Sequence, residues 1–281
     1  MAEPTSDAAL ALPHPALRPF VAAYHGYRMH GYEPGVHAGL PSRTVTLVIS
    51  LDDPVDMCRM ADPGQVPGAF QALIGGLHDR PVGIRHDGDQ HGLQLDVTPL
   101  GARALLGMPA AALAAQVVEL SEVAGPGAAS LPDRLRSLPD WPARFAELDR
   151  VLLSWRREGT PPADEVLEAW RVLAERHGAV GVAELADRVG WSRRHLGGRF
   201  RDEFGLSPKV AGRVMRFERA RRLLVADTSS GLADVAATAG YADQAHLTRE
   251  WRRLAGSTPS AWRRGEELPF VQDPDALLAR P

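Results

Sequence analysis

The second half of the chain contains one unit twice. Residues Val182-Ala183-Glu184-Leu185-Ala186-Asp187-Arg188-Val189-Gly190-Trp191, followed by 192–208, return as Leu232-Ala233-Asp234-Val235-Ala236-Ala237-Thr238-Ala239-Gly240-Tyr241, followed by 242–259. Leu185, Ala186 and Gly190 correspond to Val235, Ala236 and Gly240 at an offset of 50. Leu196, Phe200, Gly205 and Pro208 correspond to Leu247, Trp251, Gly256 and Pro259 at an offset of 51. Such a repeat restricts the fold to two copies of one supersecondary unit. Its residues specify which one. A small residue, Ala186 or Ala236, lets two helices cross closely. Gly190 or Gly240 takes a positive φ that ends the first helix and turns the chain. Leu196 and Phe200, or Leu247 and Trp251, lie four apart and bury one side of a second helix. The opposite side is polar and free to enter a groove, which is the helix-turn-helix plan with the second helix as reader.

Between the copies, 208–225 reads as one long helix, opened by Pro208 and striped with Val210, Val214, Phe217, Ala220, Leu223 and Leu224. A strut of this kind holds two readers apart, and consecutive major grooves on one face of B-DNA are about 34 Å apart. Two readers on one chain thereby replace two subunits.

Over roughly 163–264 these residues resemble the AraC/XylS family of bacterial transcription regulators. The resemblance is carried by Val235-Ala236, Gly240-Tyr241, Arg249, Trp251 and Gly256-Ser257-Thr258-Pro259-Ser260; Trp251 stands where the family usually has Phe, and Trp262-Arg263 where it often has Tyr-Arg. Less closely, Gly39-Leu40-Pro41-Ser42, Gly75-Gly76-Leu77-His78 and Pro99-Leu100-Gly101-Ala102 through Gly107 resemble the uncharacterised sensor-like domain of many actinobacterial regulators. The resemblance implies double-stranded DNA as partner, RNA polymerase as a further partner if the protein activates, and a compact domain ahead of the reader.

The DNA-binding residues expected in the first copy are Arg193, Arg194, Gly197, Gly198 and Arg201. Arginine binds guanine O6 and N7 bidentately or grips phosphate, and both roles stay open here. Gly197-Gly198 disfavours a helix interior by about 1 kcal/mol per glycine; either bare backbone permits close approach, or this helix reads few bases. In the second copy Gln244 suits adenine, Ala245 a thymine methyl, and Thr248 and Arg249 bases or phosphate, with Asp243 beside them. A structural salt bridge is the other role for Arg249. Arg213, Arg216, Arg219, Arg221, Arg222, Arg252 and Arg253 read mostly as a solvated face, and His195 and His246 as helix-packing residues.

Charge agrees with this placement. The net charge is −3, yet 181–264 hold 16 basic against 9 acidic residues, while 1–180 hold 15 against 22. A basic segment in an acidic chain is what a polyanion-binding module requires.

The first half is different in texture. Thr44 through Leu51, Gln71 through Ile74 and Gly92 through Val97 read as strands, broken by Asp52-Asp53-Pro54, Asp79-Arg80-Pro81 and Asp87-Gly88-Asp89. Leu100–Leu106, Ala110–Val118, Leu131–Leu138 and Trp141–Arg157 read as helices, and Asp164 as the cap of another. The expected fold is α+β, a small antiparallel sheet or barrel (cupin-like as one form) with helices, followed by an all-α double helix-turn-helix. The expected divisions are a loose lead-in at 1–19, a β-rich sensor domain at 20–158, a linker at 159–163, the double reader at 164–264 and an acidic tail at 265–281.

Catalysis has no positive signal. His25, His30, His37, His78, His86 and His91 match no compact ligand spacing, Cys58 is the single cysteine, and no Gly-rich phosphate loop, Gly-x-Ser-x-Gly or His-Glu-x-x-His occurs. No catalytic residue, metal site or cofactor is expected. No secretory leader is visible and no apolar run approaches the ~20 residues of a membrane span, so a cytoplasmic protein is expected, as monomer or homodimer. The leading expectation is a DNA-binding regulator responsive to a small-molecule effector or partner. The alternatives are a cupin-like metal enzyme fused to a DNA-binding module and an alkyl-transfer repair fusion.

Overall fold

The computed structural model describes residues 4–227 and 230–265. Ten strands come first: β1 (Thr5–Ala11), β2 (Val21–His30), β3 (Gly35–Gly39), β4 (Val45–Ser50), β5 (Val55–Arg59), β6 (Gly68–Phe70), β7 (Ala72–Gly75), β8 (Val82–His86), β9 (Gln90–Val97) and β10 (Val117–Glu119). They form a six-stranded sheet, β1-β2-β9-β4-β7-β10, and a four-stranded sheet, β3-β8-β5-β6. Every pairing is antiparallel. Of the sheet or barrel expected, the structure shows antiparallel sheet, in two pieces that no hydrogen-bonded strand pairing joins among the described residues.

The period of two along a strand decides what lies on each face. Val45, Leu47 and Ile49 of β4 and Leu93, Leu95 and Val97 of β9 enter a large apolar cluster with the helices. Val48 joins a separate cluster with Met57, Leu73, Val82 and Val117, toward the small sheet.

Short helices follow: α1 (Pro99–Gly101) running into a π-type turn at Ala102–Leu106, a 3-10 turn at Ala110–Leu113, α2 (Leu120–Ala124) and α3 (Leu131–Arg136). Helix α4 (Trp141–Trp155) closes the first half, capped by Asp140, whose carboxylate accepts from the Ala143 N–H at 2.9 Å. It packs on the six-stranded sheet: Phe145 stacks on Tyr24 with centroids 5.9 Å apart, and the Tyr24 hydroxyl donates to Asp149 at 2.9 Å.

Two expectations are corrected here. Within the expected loose lead-in at 1–19, of which 1–3 lie outside the described residues, Thr5–Ala11 is ordered by pairing with β2 from Thr5↔His30 to Ala11↔Tyr24, and Pro15–Leu17 forms a 3-10 turn. Its alanines hid a strand, since alanine has little β-propensity. The helix expected over Ala110–Val118 stops at Leu113, and Val117–Glu119 pairs with β7. The β-branched pair Val117-Val118 decides that end.

Regular structure is absent from 156–163. Then come α5 (Asp164–Glu175), α6 (Val182–Arg188), α7 (Arg193–Phe204), α8 (Pro208–Ala226), α9 (Leu232–Ala239), α10 (Gln244–Ala255) and α11 (Pro259–Gly265). Asp164 is the first residue of α5 rather than its cap; Ala163 holds the cap position without a side-chain bond. The acidic tail expected from 265 lies, beyond that residue, outside the described residues.

The two halves share their cores. The cluster that holds Leu47 and Leu93 also holds Val166, Leu185, Leu196, Phe200 and Met215. A second cluster, built from Phe217, Val235, Leu247 and Trp251, takes in Leu40 of the first half, 1% exposed.

Candidate nucleic-acid interface

The turn glycines do what the repeat requires of them: φ is 69° at Gly190 and 84° at Gly240. After each turn a capping side chain starts the second helix. The Ser192 hydroxyl accepts from the His195 N–H at 3.2 Å, and the Asp243 carboxylate from the His246 N–H at 2.6 Å. Asp243, set among the second copy's polar residues, thus starts α10. The turn aromatics hold the histidines edge-on, Trp191 against His195 at 4.5 Å and Tyr241 against His246 at 5.3 Å. Both histidines therefore pack against the turn, as the repeat suggested.

Behind the readers the packing is aromatic. Leu196 and Phe200 are 0% exposed, as are Leu247 and Trp251. Trp170 of α5 lies 5.8 Å from Phe200 and 4.3 Å from Phe204. Trp251 meets Phe217 at 4.8 Å and Trp262 at 5.4 Å. With those sides buried, the opposite sides face outward. Arg193, Arg194, Arg201, Gln244, Ala245 and Arg249 are exposed, and Gly197, Gly198 and Thr248 are half-buried. A Cβ at Gly197 or Gly198 meets nothing within 4 Å, so packing within the chain does not require either glycine. Arg201 donates to the Gly197 carbonyl at 3.3 Å, and the Thr248 hydroxyl to the Gln244 carbonyl at 2.9 Å.

Charge divides the domain into a front and a back. Arg193, Arg194 and Arg249 enter no ion pair among the described residues. On the back, carboxylates neutralise the arginines. Glu168 takes Arg171 and Arg188, whose hydrogen bonds hold its carboxyl down at about 2. Arg213 pairs with Asp79 at 3.1 Å and Glu250 at 3.2 Å, and Arg253 with Asp79 at 2.8 Å. Arg216 donates to the Gly178 carbonyl at 2.6 Å, and Arg221 is 5% exposed. The solvated face expected along α8 is thus corrected at Arg213, Arg216 and Arg221. The helix is packed on several sides at once, so its arginines serve packing, while Arg222 stays exposed.

Contacts across the halves carried no sequence signal, because their partners lie 91 or more positions apart. Arg103 makes two hydrogen bonds to buried Glu203 at the end of α7, at 3.1 and 2.6 Å. The backbone N–H of Arg43 donates to buried Glu218 at 3.0 Å. Gly205 ends α7 with φ 76°, where a Cβ would stand 2.3 Å from that of Ala114. The N-terminal half therefore holds the back of both units and leaves both readers uncovered. Two exposed cations on this domain, Arg199 and Lys209, were not among the expected site residues.

Residues 185–265 match the family described as helix-turn-helix domain. That match takes in both copies and the connecting α8, so this part of the chain is a helix-turn-helix domain. No curated protein matches the chain. Among solved structures it is similar to ToxT from Vibrio cholerae O395, at 8% identity and a TM-score of 0.51, covering 92% of this chain and 97% of that one. ToxT bound to (E)-4-(8-methylnaphthalen-1-yl)but-3-enoic acid is similar at 9% identity and 0.51, over 92% and 98%. The DNA-binding domain of AdpA, a global transcriptional factor in complex with a target DNA, is 32% identical, with 38% of this chain and 94% of that one covered and a TM-score of 0.33. The ToxT likeness, at such identity, is one of fold: an N-terminal sheet domain followed by a helical domain.

Among the described residues, no group of three or more His, Cys, Asp or Glu is placed to hold a metal ion. The N-terminal histidines are dispersed: His25 bonds Asp96 at 2.9 Å, His30 bonds Asp89 at 2.8 Å, and His37 and His86 face each other at 5.5 Å. No helix among them is long and apolar enough to cross a membrane.

Proposed function

We propose that the protein is a sequence-specific DNA-binding transcription regulator whose N-terminal domain responds to a small-molecule effector. One observation carries the reading. Two equivalent helices present uncovered polar faces bearing Arg193, Arg194 and Arg249, while Arg171, Arg188, Arg213 and Arg253 elsewhere on the domain are bound by carboxylates. Arg193, Arg194 and Arg201 with Gln244, Ala245, Thr248 and Arg249 are the proposed contacts. The open space around Gly197 and Gly198 supports close approach of the α7 backbone to DNA.

Helix α8 spans 19 residues, roughly 28 Å at 1.5 Å per residue, comparable to the ~34 Å between consecutive major grooves. One chain then suffices for two half-sites, and a monomer is the binding unit. The effector reading is supported by the N-terminal domain's grip on both units, since coupling requires a second site in contact with the first. RNA polymerase is a further partner if the protein activates.

Gel-shift selection with genomic fragments at ~0.15 M salt tests the reading. A fragment bound about a thousandfold more tightly than random DNA is expected. No preference among fragments, with effector screens also empty, counts against it.

A further inference from the structure

Where the second unit meets the small sheet, an open cleft of about 1130 Å³ crosses the joint between the two halves. Val36, Met60 and Pro81 line it from the N-terminal half, and Ala255, Ala261 and Trp262 from α10 and α11. Its volume exceeds the ~300–1,000 Å³ of ordinary small-ligand pockets, so it has room for a peptide segment. Val36 is 55% exposed in it, an apolar surface that an occupant would cover.

Two features define what fits. β3 ends the four-stranded sheet and lines the cleft from Gly35 to Ala38. It pairs with β8 alone, and its residues make no other backbone hydrogen bond among the described residues. A free strand edge accepts an extended segment as a further strand. Arg59 and Arg80 also line the cleft and enter no ion pair among the described residues, whereas Arg253 beside them is held by Asp79. Of the acids in the wall, Asp62 already accepts from the Gly64 N–H and from Gln116 Nε2, both at 2.8 Å, and Glu33 is exposed.

The chain supplies a matching segment at this place. Trp262 stands three positions before Gly265, and 266–281 lie outside the described residues. That stretch holds four acidic residues against one basic, and opens Glu266-Glu267-Leu268-Pro269-Phe270-Val271. Five extended residues reach at most ~18 Å, which brings Leu268 and Phe270 within range of the wall that Trp262 helps to form. A tether of so few residues holds a segment at roughly millimolar effective concentration, so a weak contact suffices.

We propose that this cleft is the docking site of the chain's own segment 266–273, whose backbone runs along β3, whose Leu268 and Phe270 cover the apolar wall, and whose acidic residues answer Arg59 and Arg80. Alternation along a strand puts Leu268 and Phe270 on one side, and Pro269, with no N–H to give, at the position turned away from β3. The contact fastens α11 to the small sheet, adding a joint to those that Leu40 and Asp79 make with the second unit.

The full chain carrying Cys58→Ser, Val36→Cys and Phe270→Cys is treated with a short bis-maleimide, and the products are separated by mass. Leu10→Cys, on β1 of the other sheet, replaces Val36→Cys as the control. Cross-linking within one chain at least about tenfold above the control is expected. In parallel, the Met60 methyl resonance of the isotopically labelled full chain reports the cleft. Leu268→Asp with Phe270→Asp is expected to shift it, and a synthetic peptide of residues 266–275 to restore it saturably at roughly millimolar concentration. No cross-link above the control, or a Met60 resonance indifferent to the two substitutions, overturns the proposal. Cross-links found only between two chains overturn it as well, in favour of a segment exchanged between copies. Neither readout uses DNA, so failure here leaves the regulator reading standing.

Discussion

Arg194 and Gln244 stand at the starts of α7 and α10, exposed and without ion-pair partners, where base edges are met first. Replacing either by alanine is expected to lower discrimination at one base position by about 1–3 kcal/mol, read as the affinity ratio between matched and mismatched duplexes. On the proposed reading the two readers are unequal, with Gly197-Gly198 leaving the first dependent on Arg193, Arg194 and phosphate, so Gln244→Ala is expected to relax specificity more. Gly198 separates two effects cleanly. With nothing within 4 Å of its Cβ position, Gly198→Ala is expected to raise helix stability by about 1 kcal/mol in denaturant melts. The same change is expected to weaken binding at the first half-site, where the backbone is proposed to approach DNA. At His37 the folded value of about 4 lies below the ordinary 6.5. The unfolded chain therefore binds the proton first, and stability present above pH 6.5 is lost as pH falls toward 4. His37→Gln is expected to flatten that limb of the stability–pH curve. At this scale the sequence is most readable where a residue acts on its neighbours, as Gly190, Gly240 and Ser192 do. Arg213 was misread because its partner Asp79 is 134 positions away in the chain.

Elements with one exposed side were legible, and those enclosed on several sides were not. α7 and α10 follow from apolar spacing and their caps. α8 is recognisable as a helix, yet its burial by both units and by the N-terminal half leaves no simple stripe. β1 was hidden by alanines, and β10 by its place at the end of an apparent helix. The joints between elements have measurable weight. Glu203 is 6% exposed and doubly bonded to Arg103. Glu203→Ala leaves that guanidinium unpaired and is expected to cost about 3 kcal/mol in urea unfolding. Leu40→Ala opens a gap in the second unit's core and is expected to cost about 2–5 kcal/mol. It also loosens the N-terminal half from α10, which hydrogen exchange at the α10 amides would detect.

At the scale of the whole molecule, the repeat made the DNA-binding half readable and said nothing of the clamp behind it. The acidic first half and basic second half meet through Asp79 with Arg213 and Arg253, Arg103 with Glu203, and Arg43 with Glu218. Those pairs orient the back of the double reader and leave its polar front clear. The central claim is that one chain reads two half-sites on one face of DNA. Anisotropy titrations of the full chain at ~0.15 M salt, on duplexes whose paired half-sites come from random-sequence selection, test it directly. One protein per duplex is expected at a half-site spacing of about 10–10.5 base pairs, with affinity falling about tenfold or more when roughly half a turn is inserted. Affinity indifferent to spacing, or two proteins per duplex at every spacing, would contradict it.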